Sequence, residues 1–244
     1  LFLLAVAQVA PLPALTAPAA GWALVGALAQ IAATALMLSA MQRRGFAVAT
    51  ALVKTEPVTL ALMGALVLDE RLGLQRMGAV LVATLGVLAL SGTSWRRAGM
   101  LPLAIAVSAG ALFGLSALGF RGAILSLGLP SFVLAATFTL TLGLVLQAGL
   151  LTLYLALRDR AVMVAIVKAW RPSLFAGFMG ATASEFWFLA FALTSVANVR
   201  TLALVEVLFA QTISLFAFKQ KTTRRDALGV ALIVAGCAFL IWVQ

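Results

Sequence analysis

Long apolar runs separated by short polar punctuation dominate the chain. Eight of them predict full helices: Trp22–Met41, Phe46–Leu68, Leu74–Ser91, Leu101–Phe120, Ser131–Leu157, Ser173–Leu193, Asn198–Phe218 and Ala227–Val243. Each has about the 20 apolar residues that a bilayer core requires. A helix also satisfies its own backbone donors and acceptors, the condition that lipid imposes on a spanning segment. Barrel strands would alternate apolar and polar residues over about ten positions, and the runs show no such alternation. A shorter run, Leu1–Val9, is broken by Ala10-Pro11-Leu12-Pro13. No basic residue precedes it, so it does not read as a signal peptide. It is expected to be the tail of a helix whose start lies outside this sequence. Between Arg158 and Arg171, basic ends flank the apolar stretch Ala161–Val167, too short to span and read as an interfacial segment.

Composition narrows the class. Of 244 residues, 64% are hydrophobic and 10% charged, against about 45–50% and 25% in soluble domains. The mean hydropathy of +1.15 belongs to a chain solvated mostly by lipid, with room for roughly eight to ten spans. The expected architecture is an all-α polytopic transmembrane bundle. Chemistry is sparse: there is no histidine, the commonest general base and metal ligand. The single cysteine, Cys237, forms no internal disulfide or thiolate cluster. With no P-loop and no dinucleotide fingerprint, no cofactor, metal or enzymatic role is expected. A formal charge of +10 raises nucleic acid as a partner, but the basic residues sit in short loops between apolar runs, where they orient helices. The expected partners are the lipid bilayer and a small-molecule substrate, and the oligomeric state is not legible.

Sliding the chain by 150 residues superposes Phe46–Leu68 on Val196–Phe218 and Leu74–Leu90 on Arg224–Leu240. Glu56 then meets Glu206, Val80 meets Val230 and Gly86 meets Gly236. The glutamate match carries most weight because acids are scarce. Repeats with an odd number of helices each lie inverted in the membrane, a common transporter architecture. The segment Ala51-Leu52-Val53-Lys54-Thr55-Glu56-Pro57, its apolar continuation, Asp69-Glu70-Arg71-Leu72 and a Gly-rich helix resemble the EamA half-repeat. So do Ala192 to Thr201, Glu206, and Gly229 to Gly236. One departure is Lys219-Gln220-Lys221 where the first repeat has Asp69-Glu70-Arg71. The resemblance places the chain in the drug/metabolite transporter superfamily and implies ten helices in two inverted five-helix repeats. Residues 1–91 would then be the remainder of the first repeat, lacking the first helix and most of the second, and 92–244 the second repeat.

Membrane orientation has two readings. Twelve basic residues, at Arg43, Arg44, Arg96, Arg97, Arg158, Arg160, Lys168, Arg171, Lys219, Lys221, Arg224 and Arg225, lie in loops on one side. Arg71, Arg76, Arg121 and Arg200 lie on the other. By the positive-inside rule the C-terminus is outside; the resemblance implies both termini in the cytoplasm.

The acids separate into two groups. Asp69, Glu70, Asp159 and Asp226 fall in loops or at helix ends, whereas Glu56, Glu185 and Glu206 fall near the middle of three spans. A charge at that depth costs on the order of 2.5–3.5 kcal/mol or more, and such groups face a bundle interior or a wet cavity. The candidate substrate or coupling residues are Glu56, Glu206 and Lys54, with Glu185, Arg200, Trp187 and Gln211 behind them. The bland reading is a buried pair, or a protonated carboxyl, that only locks helices together. Lys54 and Glu56 are about 200° apart around a helix, and Arg200 and Glu206 about 240°, so pairing across helices is expected, for example Lys54 with Glu206 or Glu185. Arg200 alternatively snorkels to the headgroups. Pro57 predicts a kink beside Glu56 that frees the Val53 carbonyl. Phe186, Trp187 and Phe188 read as an aromatic wall or as packing, Gln211 and Thr212 as ligand or interhelical donors, and Gly110–Gly114 as a close-contact GxxxG spacing.

The expected function is secondary transport of a small amino-acid-like or drug-like metabolite across the cytoplasmic membrane. The expected mechanism is alternating access in the efflux direction, with proton exchange at a membrane carboxyl as a hypothesis. The alternative is a non-transporting scaffold or assembly subunit, whose intramembrane acids would sit in fully satisfied pairs.

Overall fold

In the computed structural model of the chain, the residues described are chiefly 11–44, 56–67, 73–90, 100–206 and 223–243. Every regular element among them is helical. In chain order these are α1 (Ala17–Arg44), α2 (Glu56–Val67), α3 (Leu74–Leu90), α4 (Met100–Ser126), α5 (Phe132–Arg158), α6 (Arg160–Lys168), α7 (Trp170–Leu193), α8 (Val196–Leu202) with a 3-10 turn at Ala203–Val205, and α9 (Arg224–Trp242). Five of them (α1, α4, α5, α7 and α9) are long and apolar enough to cross a membrane. The chain is an all-α, multi-pass membrane protein.

The polar punctuation caps these helices. Ser131 accepts from the Leu134 amide and Ser195 from the Asn198 amide, both at 3.3 Å. Asp159 closes α5 and caps α6, accepting from Val162 N–H at 3.2 Å. Thr223 and Asp226 form a reciprocal capping box on α9. Each cap answers one of the amides that a helix start leaves without an intrahelical partner. The predicted interfacial segment is the nine-residue α6, which has no buried residue. Two spans run well beyond the expected bounds: α1 extends from Ala17 to Arg44, so Arg43 and Arg44 end a helix rather than lie in a loop, and α4 continues past Phe120 to Ser126, so Arg121 lies inside a helix. Gly128, at φ +59°, makes the turn that follows.

The chain divides into two compact units. The first comprises residues 1–28 and 119–194, the second 29–118 and 195–244. Within the first, small residues let helices touch. A Cβ on Gly119 would lie 2.7 Å from the Gly26 nitrogen, and one on Gly122 2.7 Å from the Trp22 ring. Phe120 fills the space beside Gly143 and stacks at 4.8 Å on Phe188.

Within the second unit, α3 and α9 meet backbone to backbone. A Cβ on Gly86 would lie 2.7 Å from both the Gly229 oxygen and the Ile233 nitrogen. A Cβ on Gly236 would lie 2.9 Å from the Ala79 oxygen and 2.6 Å from the Ala83 nitrogen. Adding 150 converts 79, 83 and 86 into 229, 233 and 236, so each set of contacts maps onto the other, atom type by atom type. Partner numbers fall along α9 as they rise along α3, so the two helices run antiparallel. This is the self-complementary contact of a two-fold relation, in the sense that inverted repeats require. Ala83, Val87, Leu204, Ile233 and Cys237 form the buried cluster beside it.

Gly86→Ala and Gly236→Ala force these backbones apart and should each destabilise the protein by about 1–3 kcal/mol, the usual cost of overpacking. Gly78→Ala, whose Cβ meets nothing within 4 Å, should leave thermal unfolding in detergent unchanged or slightly raised.

Candidate functional site

Two acidic positions inside the spans are buried, one in each compact unit. In the second unit, Glu56 opens the described part of α2 and is 6% exposed. Its Oε1 lies 3.1 Å from Nε of Arg200 on α8. Helix α8 is embedded on most sides: Val196, Ala197, Asn198, Val199 and Thr201 are all buried. Thr201 donates back to the Ala197 carbonyl at 2.7 Å, and Cys237 reaches the Thr201 carbonyl at 3.5 Å, fixing α8 against α9. Gly114 on α4 leaves room for the carboxylate stem, since a Cβ there would approach Leu60 to 3.1 Å and the Glu56 Cγ to 3.7 Å. The alternative in which Arg200 serves only the headgroups is corrected here. The mid-span carboxylate draws the guanidinium, because a buried charge is tolerable only when paired.

The sequence pointed to pairing across helices but not to this pair. Arg200 corresponds to Thr50 in the first repeat, so the ion pair breaks the internal symmetry. Glu206, the repeat equivalent of Glu56, is exposed and directly follows the 3-10 turn. Short 3-10 stretches within helices mark hinges or strain. That turn occupies the register of Val53–Thr55, just ahead of Pro57. The predicted kink at Val53, and the candidates Lys54 and Gln211, lie outside the described residues. The Thr212 hydroxyl turns back to the Leu208 carbonyl at 2.8 Å.

In the first unit, Glu185 on α7 is 8% exposed. Its Oε1 accepts a 2.5 Å hydrogen bond from the Thr137 hydroxyl on α5. Its Oε2 is buried and has no hydrogen-bond partner among the described residues. The proposed aromatic wall does not form as one surface, because successive helical residues turn by about 100°. Phe186 points outward at 69% exposure, Trp187 is half-buried, and Phe188 is buried. The packed rings are instead Phe120, Phe188, Phe191 and Trp187, linked by centroid distances of 4.8, 6.1 and 5.9 Å. Arg121 donates to the Phe191 carbonyl, one of the acceptors that the end of α7 leaves open.

Thr137 was not among the sequence candidates. The signal was present, since Thr137, Thr139 and Thr141 interrupt the apolar span Ser131–Leu157. Thr141 bonds back to its own helix, at the Thr137 carbonyl, whereas Thr137 reaches across to α7.

Comparison with known proteins bears on the membrane part of this reading. Residues 1–92 match the EamA-like transporter family, so the resemblance seen in the sequence is borne out over that segment. No curated protein matches the chain. Twelve chains of solved structures do. One, described as "Crystal structure of protein", aligns with a TM-score of 0.60 at 16% identity, over 100% of this chain and 94% of its own. At that identity the likeness is one of fold.

Removing one partner of a buried ion pair costs about 3–5 kcal/mol. Because the Arg200 side chain is 21% exposed, Glu56→Gln and Arg200→Gln should each fall near the lower end. The double variant should recover part of the loss. Chemical unfolding in mixed micelles, read as a double-mutant cycle, checks this; strictly additive losses would mean the two side chains are energetically independent.

Proposed function

We propose that the protein is a secondary transporter that exports a small organic metabolite, amino-acid-like or drug-like, across the cytoplasmic membrane. The observation that carries this reading is the Glu56–Arg200 pair: opposite charges placed in an apolar bundle, joined to an EamA-like sequence over residues 1–92. Intramembrane ionisable residues mark substrate or ion pathways as a rule.

The proposed mechanism is alternating access about the internal repeat. An antiparallel, self-complementary contact such as that of α3 and α9 has two equivalent senses of tilt. Rocking one repeat against the other opens a path first to one side and then to the other. Glu56 and Arg200 present an anion and a cation side by side, suited to a cargo bearing an ammonium and a carboxylate. Proton exchange for cargo is part of the proposal. The division into repeats at residues 1–91 and 92–244 is proposed on the same ground.

A buried ion pair also fits the scaffold alternative, in which nothing moves. Vesicle exchange separates the two. Full-length protein in liposomes loaded with a mixed pool of amino acids and amphipathic amines should release at least one solute faster than protein-free vesicles. Arg200→Gln should slow that release by about 10- to 100-fold, the loss expected when a hydrogen bond to a charged group worth about 1.5–3 kcal/mol is removed. Release no faster than from empty liposomes across the pool would favour the scaffold.

A further inference from the structure

We propose that Glu185, held by Thr137, is the residue that binds the coupling proton, in a site separate from the Glu56–Arg200 pair. The proposal rests on the transport reading and names the group that carries its proton.

The two buried acids are solvated differently. Glu56 has a guanidinium 3.1 Å away. Glu185 has one neutral donor, the Thr137 hydroxyl, on Oε1, and its Oε2 is buried with nothing to accept from among the described residues. An ionised carboxylate offers about four acceptor sites, and one hydroxyl leaves most of that charge unanswered in a medium where unpaired charge is expensive. A single proton on Oε2 removes the charge and needs no added volume. Phe188 and Phe191 of the same helix are buried, and Phe120 is packed on Phe188. No group of three or more acidic, cysteine or histidine residues able to hold a metal stands among the described residues.

Within the first unit, the charged groups described on the elements around α7 lie at its ends. Arg121 of α4 is engaged at Phe191, six residues or about 9 Å along the axis from Glu185. Arg158, Asp159, Arg160, Lys168 and Arg171 cluster at the opposite end of α5, on α6 and at the start of α7; Arg171 is about 21 Å away along the helix. Tyr154 on α5 is about 25 Å from Thr137 by the same measure. The first turns of α1 carry no charge. Among the described residues of the first unit, no charged side chain is therefore placed to serve as a fixed counter-ion for Glu185, and a mobile proton takes that role. The step is balanced: a lone pair on Oε2 forms an O–H bond with a proton given up by hydronium on one side, whose own O–H bond breaks to leave water, and the side-chain charge goes from −1 to zero. When the site opens to the other side the same bond breaks and the proton returns to water. Thr137 is a positioning residue, keeping Oε1 bonded in both states.

Infrared difference spectroscopy of the purified full chain in liposomes, taken between alkaline and acid buffer, reads carboxyl protonation directly and needs no substrate. The expected result is a protonated-carboxyl carbonyl band that disappears in Glu185→Gln, persists in Glu56→Gln, and shifts in Thr137→Val as its hydrogen bond is lost. If Glu185→Gln does not fold, Thr137→Val and Glu185→Asp carry the test through displacement of the same band. A band unmoved by these changes, or no such band in the wild type, overturns the proposal. The transport reading fails separately: wild-type liposomes that show the Glu185 band but exchange no metabolite contradict transport alone. Liposomes that exchange metabolites without the band contradict only the proton site.

Discussion

The backbone contact between α3 and α9 is the closest glycine approach among the described residues of the second unit. Membrane helices gain little from hydrophobicity against each other, since lipid is as apolar as leucine, and they associate where small residues allow close approach. Gly86 and Gly236 provide that approach, each seated on the carbonyl and amide of the opposite helix. Cys237, next to one of these glycines, reaches the Thr201 carbonyl of α8, which carries Arg200 to Glu56. The position of the ion pair thus follows from a contact with no chemistry of its own.

On that frame the three intramembrane glutamates have different surroundings. Glu56 is buried and faces a guanidinium, Glu185 is buried with a hydroxyl, and Glu206 is exposed beside a 3-10 turn. One residue type is therefore given three environments by its neighbours, the kind of separation that acid–base sites use. The internal repeat relates Glu56 to Glu206 in sequence, but Arg200 stands where the first repeat has Thr50. The repeat is symmetric in backbone contact and asymmetric in charge.

Most of the fold was legible because a bilayer allows so few solutions. An apolar run of sufficient length has to be a helix, and the eight predicted runs coincide with described helices or overlap their described parts. The 150-residue repeat was legible through two scarce signals, a glutamate and a glycine at matching positions. Partners were harder to read. Helical periodicity tells which residues of one helix share a face, so it excluded Lys54 with Glu56 and Arg200 with Glu206, but it does not say which helix lies opposite. The Arg200–Glu56 and Thr137–Glu185 contacts join residues 144 and 48 positions apart, and only the packed structure brings them together. Three consecutive aromatics at 186–188 suggested one surface, but the helical turn assigned them to three. The GxxxG spacing at Gly110–Gly114 drew notice, while among the described glycines close backbone or ring approaches occur at Gly86, Gly119, Gly122 and Gly236.

The inverted relation of the two repeats underlies both the fold and the proposed mechanism, and labelling from one side of the membrane tests it most directly. With Cys237 replaced by serine, single cysteines would be placed at Leu74 and at Arg224, which open α3 and α9 and are equivalent under the 150-residue shift. A thiol reagent that does not cross the bilayer, applied to sealed oriented vesicles, should modify one of these positions and spare the other until the membrane is made permeable. Modification of both from the same side would place α3 and α9 parallel and contradict the inverted repeat.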